Sequence, residues 1–188
     1  IKPIVHTNTK IKVMVDLPDF AAKIAGTNCK EVGLVRLEGI IAESGKHPFY
    51  FLKKPEEYEK LIYSGLKKIA EHFDELWVRT SDIRSDEFQD LQGSPPLEKN
   101  PMLGLHGIRA SLKNKALFKA ELKAIKKLEE ECTHIGIMLP QIISVEEIKE
   151  TKSIMQSLGM NAEIGAMIET PAAVEIIEDL CKEITFIS

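Results

Sequence analysis

Cysteine is scarce in this chain: Cys29, Cys132 and Cys181 are an odd number with no paired metal-ligand spacing. That argues against a disulfide framework and a cysteine-based zinc site, and leaves buried, reduced thiols in a cytoplasmic protein as the expectation. No apolar run approaches the ~20 residues that span a bilayer, and the opening "IKPIVHTNTK" has no signal-peptide core, so no membrane partner is expected. Positive charge is not in excess, at 25 Lys and Arg against 29 Asp and Glu, which gives no support to nucleic-acid binding. An initiator methionine is also missing, and the chain is expected to begin inside a longer polypeptide.

What is present describes a globular domain. Of 188 residues, 44% are hydrophobic and 29% charged, far from the disordered regime. Short apolar runs alternate with helical patterns. "IKVMVDL" at 11–17, "VGLVRLEG" from Val32, "LWVRTSD" from Leu76, "HIGIMLP" from His134, "EIGAMIETP" from Glu163 and the terminal "ITFIS" read as six strands. All are near-continuously apolar, as strands covered on both faces should be.

The helices between them carry explicit signals. "KPEEYEKLIYSGLKKIAEHF" opens with Pro55 and two glutamates, and Tyr58, Leu61, Ile62, Leu66, Ile69 and Phe73 mark one apolar face. Ser144 with Glu147 spells a capping box, Gly159 a left-handed helix end, and Thr170-Pro171 a second helix start that runs on through "AAVEIIEDLCKE". Strand, helix, strand without hairpin signals means parallel β/α units. The expected fold is α/β: a single domain over 1–188 forming an incomplete (β/α)8 barrel, with about six of eight strands and the C-terminal part missing. Its first and last strands should carry unpaired edges.

In such a barrel the chemistry sits at the carboxyl ends of the strands. Three runs deliver a charge there: "VGLV" ends in Arg36, "LWV" in Arg79 and "IGAMI" in Glu169. A fourth candidate, Arg109, lies in "NPMLGLHGIRASL", where glycines let the backbone approach a ligand. Converging guanidinium groups suit a phosphate or carboxylate. A carboxylate at a buried strand end is costly without a positive partner, so Glu169 reads either as a salt-bridge partner or as a ligand for a hard cation such as Mg²⁺. Glu38, Asp82 and Asp86 lie near the arginines, and internal ion pairs would account for part of the same pattern. His106 beside Gly107 has acid–base chemistry, but an ordinary loop histidine fits the sequence as well.

Taken in order, "GLVRLEGIIAESGKHP", "VRTSDIRSDEF", "NPMLGLHGIRASL" and "IGAMIETPAA" resemble the phosphoenolpyruvate-utilising enzymes, over nearly the whole chain. Within that family "RTSDIRSDEF" is most similar to the synthases, which convert ATP, pyruvate and water to phosphoenolpyruvate, AMP and phosphate. The resemblance implies that Arg36, Arg79 and Arg109 surround the phosphoryl group and that Glu169 binds Mg²⁺. It implies pyruvate or phosphoenolpyruvate as substrate, a phosphohistidine domain of the same full-length protein as partner, and a homo-oligomer when complete.

The chain also departs from the family pattern. His106 stands where the family usually has an arginine, and Leu105 where it has an aromatic. None of the three cysteines has the neighbours of the family's catalytic cysteine, so no catalytic residue is assigned here and the isolated chain is expected to be inactive. An Enzyme I or pyruvate phosphate dikinase barrel is the alternative within the family. A non-catalytic interaction or dimerisation module is the alternative outside it.

Overall fold

The computed structural model describes residues 7–129 and 131–188. In chain order it contains β1 (Val13–Val15), α1 (Ala21–Ala25), β2 (Glu31–Arg36), α2 (Leu37–Glu43), α3 (Pro55–Ala70), β3 (Glu75–Arg79), α4 (Gly107–Lys113) and α5 (Lys115–Lys126). After these come β4 (His134–Leu139), α6 (Val145–Ser157), β5 (Glu163–Ala166), α7 (Pro171–Glu175), α8 (Ile177–Cys181) and β6 (Phe186–Ile187).

The six strands form one sheet, every pairing is parallel, and their spatial order follows their order in the chain. Each connection must therefore cross back from one end of the sheet to the other, and helices make the crossing. All six carboxyl ends consequently face one way. Among the described residues β1 and β6 are each paired on one side only.

The outer helical layer follows from the periodicity of α3 and α5. Tyr58, Ile62, Leu66 and Ile69 of α3 are fully buried, as are Leu122 and Ile125 of α5. Together they cover Val32, Leu76 and Ile137 of the sheet in one hydrophobic core. The sheet's other face closes around Trp77, whose ring stacks on Phe186 with centroids 4.5 Å apart. Gly136 makes room for it, since a Cβ there would lie 2.5 Å from Trp77 Cε3.

Several expectations are corrected. The strands at 11–17 and 184–188 shorten to three and two residues. β3, β4 and β5 are near-continuously buried, with exposure confined to their end residues. β2 is fully buried only at Val32 and Val35, between which its register shifts, and Gly33 packs against the Lys12 side chain. The helix begun at Thr170 and Pro171 breaks at Ile176 (φ −108°, ψ 18°), within a run containing Val174, Ile176 and Ile177, whose branched side chains crowd a helix. The thiols are free but not buried: Cys29 and Cys132 are half-buried in segments that lead into strands, and Cys181 is exposed. Among the described residues no helix is long and apolar enough to cross a membrane.

Candidate functional site

Parallel pairing brings the expected residues to one rim. Arg36 and Arg79 end β2 and β3 and are direct register partners. Arg109 lies in the first turn of α4, which is anchored to the end of β4 by the Ile108 N–H donating to the Pro140 carbonyl (3.2 Å). Glu169 stands three residues beyond β5, and its Oε1 accepts the Gln141 N–H at 2.8 Å.

Arg36 and Arg79 share a cleft of about 360 Å³ with Asp16, Glu38, Asp82 and Phe88. Glu38 is there because α2 starts directly after Arg36 and turns its second residue inward, leaving it 9% exposed. Its Oε1 accepts from Arg79 Nη2 (3.0 Å) and from the Asp82 N–H (2.5 Å). Burial pushes the Glu38 carboxyl upward, and the Arg79 charge opposes that rise. Arg79 Nη1 also lies 3.9 Å from Asp82 Oδ2, and Arg36 Nη1 lies 3.7 Å from Asp16 Oδ2. Ion pairing accordingly accounts for Glu38 and Asp82, whereas Asp86 pairs with Arg84.

Those pairs leave gaps. The Nε atoms of Arg36 and Arg79, Oδ1 of Asp16 and Oε2 of Glu38 are buried without a hydrogen-bond partner. Four such atoms around one cleft is unusual, because each orphaned polar group costs about 1–3 kcal/mol.

The third arginine is not among the residues lining that cleft. Arg109 Nε and Nη2 both donate to the Gly104 carbonyl, at 3.3 and 2.9 Å. Gly107 holds that loop against the rim: its φ is +57°, and a Cβ would meet Gln141 Cβ at 2.8 Å and Asp82 Oδ1 at 3.1 Å. His106 is no ordinary loop histidine, being 1% exposed with both ring nitrogens in contact with oxygen atoms.

Glu169 differs from expectation in a second respect. It is exposed, so no burial cost demands a positive partner, and a backbone amide is its recorded contact. Among the described residues no group of three or more His, Cys, Asp or Glu could hold a metal by itself. All three thiols lie away from the rim: Cys29 and Cys132 precede the starts of β2 and β4, and Cys181 ends α8.

A buried polar network beside the rim went unread in the sequence. Glu121 of α5 accepts the Tyr58 hydroxyl (2.7 Å), the Ser81 hydroxyl (2.6 Å) and the Ser81 N–H (3.3 Å). Burial pushes its carboxyl up to about 7. The trio ties α3 and α5 to the segment between Arg79 and Asp82, at the floor of a separate cavity of about 260 Å³ lined by Phe49, Pro95, Leu105 and Phe118. A single glutamate on an apolar helix face was the only available signal.

Comparison with known proteins gives the family of the chain. Residues 2–188 match the family model described as PEP-utilising enzyme, PEP-binding domain. The chain is 43% identical over 194 aligned positions to a probable phosphoenolpyruvate synthase of Archaeoglobus fulgidus, covering 97% of this chain and 26% of that protein. It is 42% identical to the phosphoenolpyruvate synthase of Pyrococcus furiosus, covering 97% and 24%. A phosphoenolpyruvate-protein phosphotransferase of Buchnera aphidicola is 34% identical, over 90% of this chain and 30% of its own length. The chain thus spans about a quarter of the length of the synthases it matches. By family model and by relatives, the chain belongs to the phosphoenolpyruvate-utilising enzymes and is related to the phosphoenolpyruvate synthases.

Proposed function

We propose that the carboxyl rim binds phosphoenolpyruvate and pyruvate, and that the sheet is six strands of an eight-stranded (β/α)8 barrel, making up a single domain. The proposed overall reaction is the synthase one, in which ATP, pyruvate and water give phosphoenolpyruvate, AMP and phosphate through a phosphohistidine carried elsewhere in a longer protein. What supports this most is the pair of unpartnered, buried Nε–H donors on Arg36 and Arg79 in one cleft. A phosphoryl group offers several acceptor oxygens, and guanidinium groups stabilise the charge spread over it during transfer. Glu38 holds the Arg79 fork in place before the substrate arrives, so little reorganisation accompanies binding.

The charge balance bears on the cofactor. The cleft is lined by Asp16, Glu38, Asp82 and Glu87 against two arginines, so a phosphate alone meets a net negative lining. An anion accompanied by a divalent cation fits that lining better, and the exposed Glu169 carboxylate fits the usual Mg²⁺ arrangement of one protein carboxylate, substrate oxygens and water. When bound, Mg²⁺ would supply charge neutralisation for pyruvate's carboxylate and enolate oxygens. Arg109, braced by the Gly104 carbonyl, would offer the substrate the rest of its guanidinium group. With no thiol at the rim, these 188 residues are assigned binding rather than turnover.

One observation favours a second reading. Arg36 and Arg79 already have acidic partners, as they would in a non-catalytic interaction module. Calorimetric titration with phosphoenolpyruvate, with and without Mg²⁺, separates the two. The rim reading expects Mg²⁺-assisted binding that Arg79→Ala weakens at least about tenfold, the loss of one charge-assisted contact. Equal, feeble heats from both proteins would favour the module.

A further inference from the structure

His106 sits between two acceptors. Nδ1 lies 2.7 Å from Asp82 Oδ1, and Nε2 lies 2.9 Å from the Met102 carbonyl oxygen. A carbonyl oxygen can only accept, and an ionised carboxylate can only accept. Neutral imidazole has one N–H, so it can satisfy one of these oxygens while presenting a lone pair to the other. Only the imidazolium donates to both, and the ring is 1% exposed, with little access to water for repairing the mismatch.

We propose that His106 is a positioning residue carried as an imidazolium, which clamps the 101–109 segment to Asp82 and makes ligand binding at the arginine rim depend on its protonation. The proposal rests on the rim reading above for its ligand, though the clamp itself does not.

Mechanically, each contact leads to the rim. Met102 belongs to the short helical turn Pro101–Leu103, which is followed by Gly104, and the Gly104 carbonyl holds the Arg109 fork. On the other side, Asp82 donates its N–H to Glu38, the residue that holds Arg79. One ring therefore fixes the acceptor of Arg109 relative to the partner of Arg79. Loss of the second proton leaves the remaining N–H with the carboxylate, the stronger acceptor, and frees the Met102 carbonyl.

The charged groups facing the ring are Asp82 and Asp86 from the segment after β3, and Arg109 one turn along α4. The Asp82 bond raises the His106 pKa above its ordinary 6.5, while burial and Arg109 oppose that rise. The sign follows: a histidine raised in the folded state stabilises the clamp fully below pH 6.5, and that contribution is lost as pH climbs through the raised value.

Two measurements on the chain in its natural sequence context test this. Nitrogen-15 NMR of the His106 ring reads its protonation directly, with amide exchange of Leu103 and Gly104 followed over the same pH range. The ring is expected to be doubly protonated at about pH 6 and to titrate above the ordinary histidine range, exchange at both amides speeding up as it does. Phosphoenolpyruvate affinity is then measured across that range for the wild-type protein and His106→Gln, whose side chain carries no charge. Taking the ratio of the two cancels the ligand's own titration. The wild type is expected to bind at least about tenfold more tightly at low pH, with the ratio falling toward one as the ring deprotonates. A neutral ring at about pH 6, or a ratio that stays constant with pH, overturns the proposal. If neither protein binds the ligand while ring and amides titrate together, the clamp stands and the rim reading falls.

Discussion

Glu121→Gln isolates the energetics of a buried carboxyl. Burial among Tyr58, Ser81 and the α5 core, with Glu38 adding a like charge nearby, raises this group from its ordinary 4.5 to about 7. At about 1.36 kcal/mol per pH unit, that rise amounts to about 3 kcal/mol. The folded chain holds this proton more tightly than the unfolded chain does. The stabilisation is therefore complete below pH 4.5 and lost as pH rises through about 7. Glutamine does not titrate. Its oxygen can take the Tyr58 and Ser81 hydroxyls at the position of Oε1, but its NH₂ then faces the Ser81 N–H across 3.3 Å, donor against donor. That mismatch costs about 1 kcal/mol. The variant is expected to be less stable than wild type by about 1 kcal/mol at about pH 4 and more stable by about 2 kcal/mol at about pH 9. Urea denaturation at several pH values reads both limits. A stability difference that does not change with pH would refute the reasoning, and so would one that favours wild type increasingly in alkali.

Two further substitutions probe the scaffold. Gly107→Ala forces a Cβ into Gln141 Cβ at 2.8 Å at a φ of +57°, so a loss of about 2 kcal/mol or more in thermal unfolding is expected, together with weaker phosphoenolpyruvate binding. Trp77→Ala removes the ring stacked on Phe186 and opens a cavity on the sheet's second face. About 3–5 kcal/mol should be lost in urea, with amide protection falling first at β6.

The elements legible in the sequence were those with local causes. His134–Leu139 is an uninterrupted apolar run and forms β4 over those residues. Pro55 opens α3 as its first residue, the Thr170 hydroxyl accepts the Ala173 N–H as a helix cap should, and Gly159 takes the positive φ expected after α6. The parallel order of the strands followed from their spacing. What stayed hidden depends on distant partners. Glu121 meets Tyr58 across 63 residues and His106 meets Asp82 across 24, and no periodicity encodes either encounter. Strand-end position brought Arg36 and Arg79 together correctly, but it could not reveal that Arg109 folds back onto Gly104 or that Glu169 faces solvent. The seven-residue helix α2 was also missed, since it begins directly at the end of β2 without a conventional cap.

The most direct test of the central claim is a crystal structure of the chain in its natural sequence context, grown with phosphoenolpyruvate and Mg²⁺. Phosphate density within hydrogen-bond reach of Arg36 Nε and Arg79 Nε, with the metal on Glu169, is the expected result. Ligand density confined to the cavity above Glu121, or arginines still paired only with Asp16 and Glu38 at saturating ligand, would contradict it.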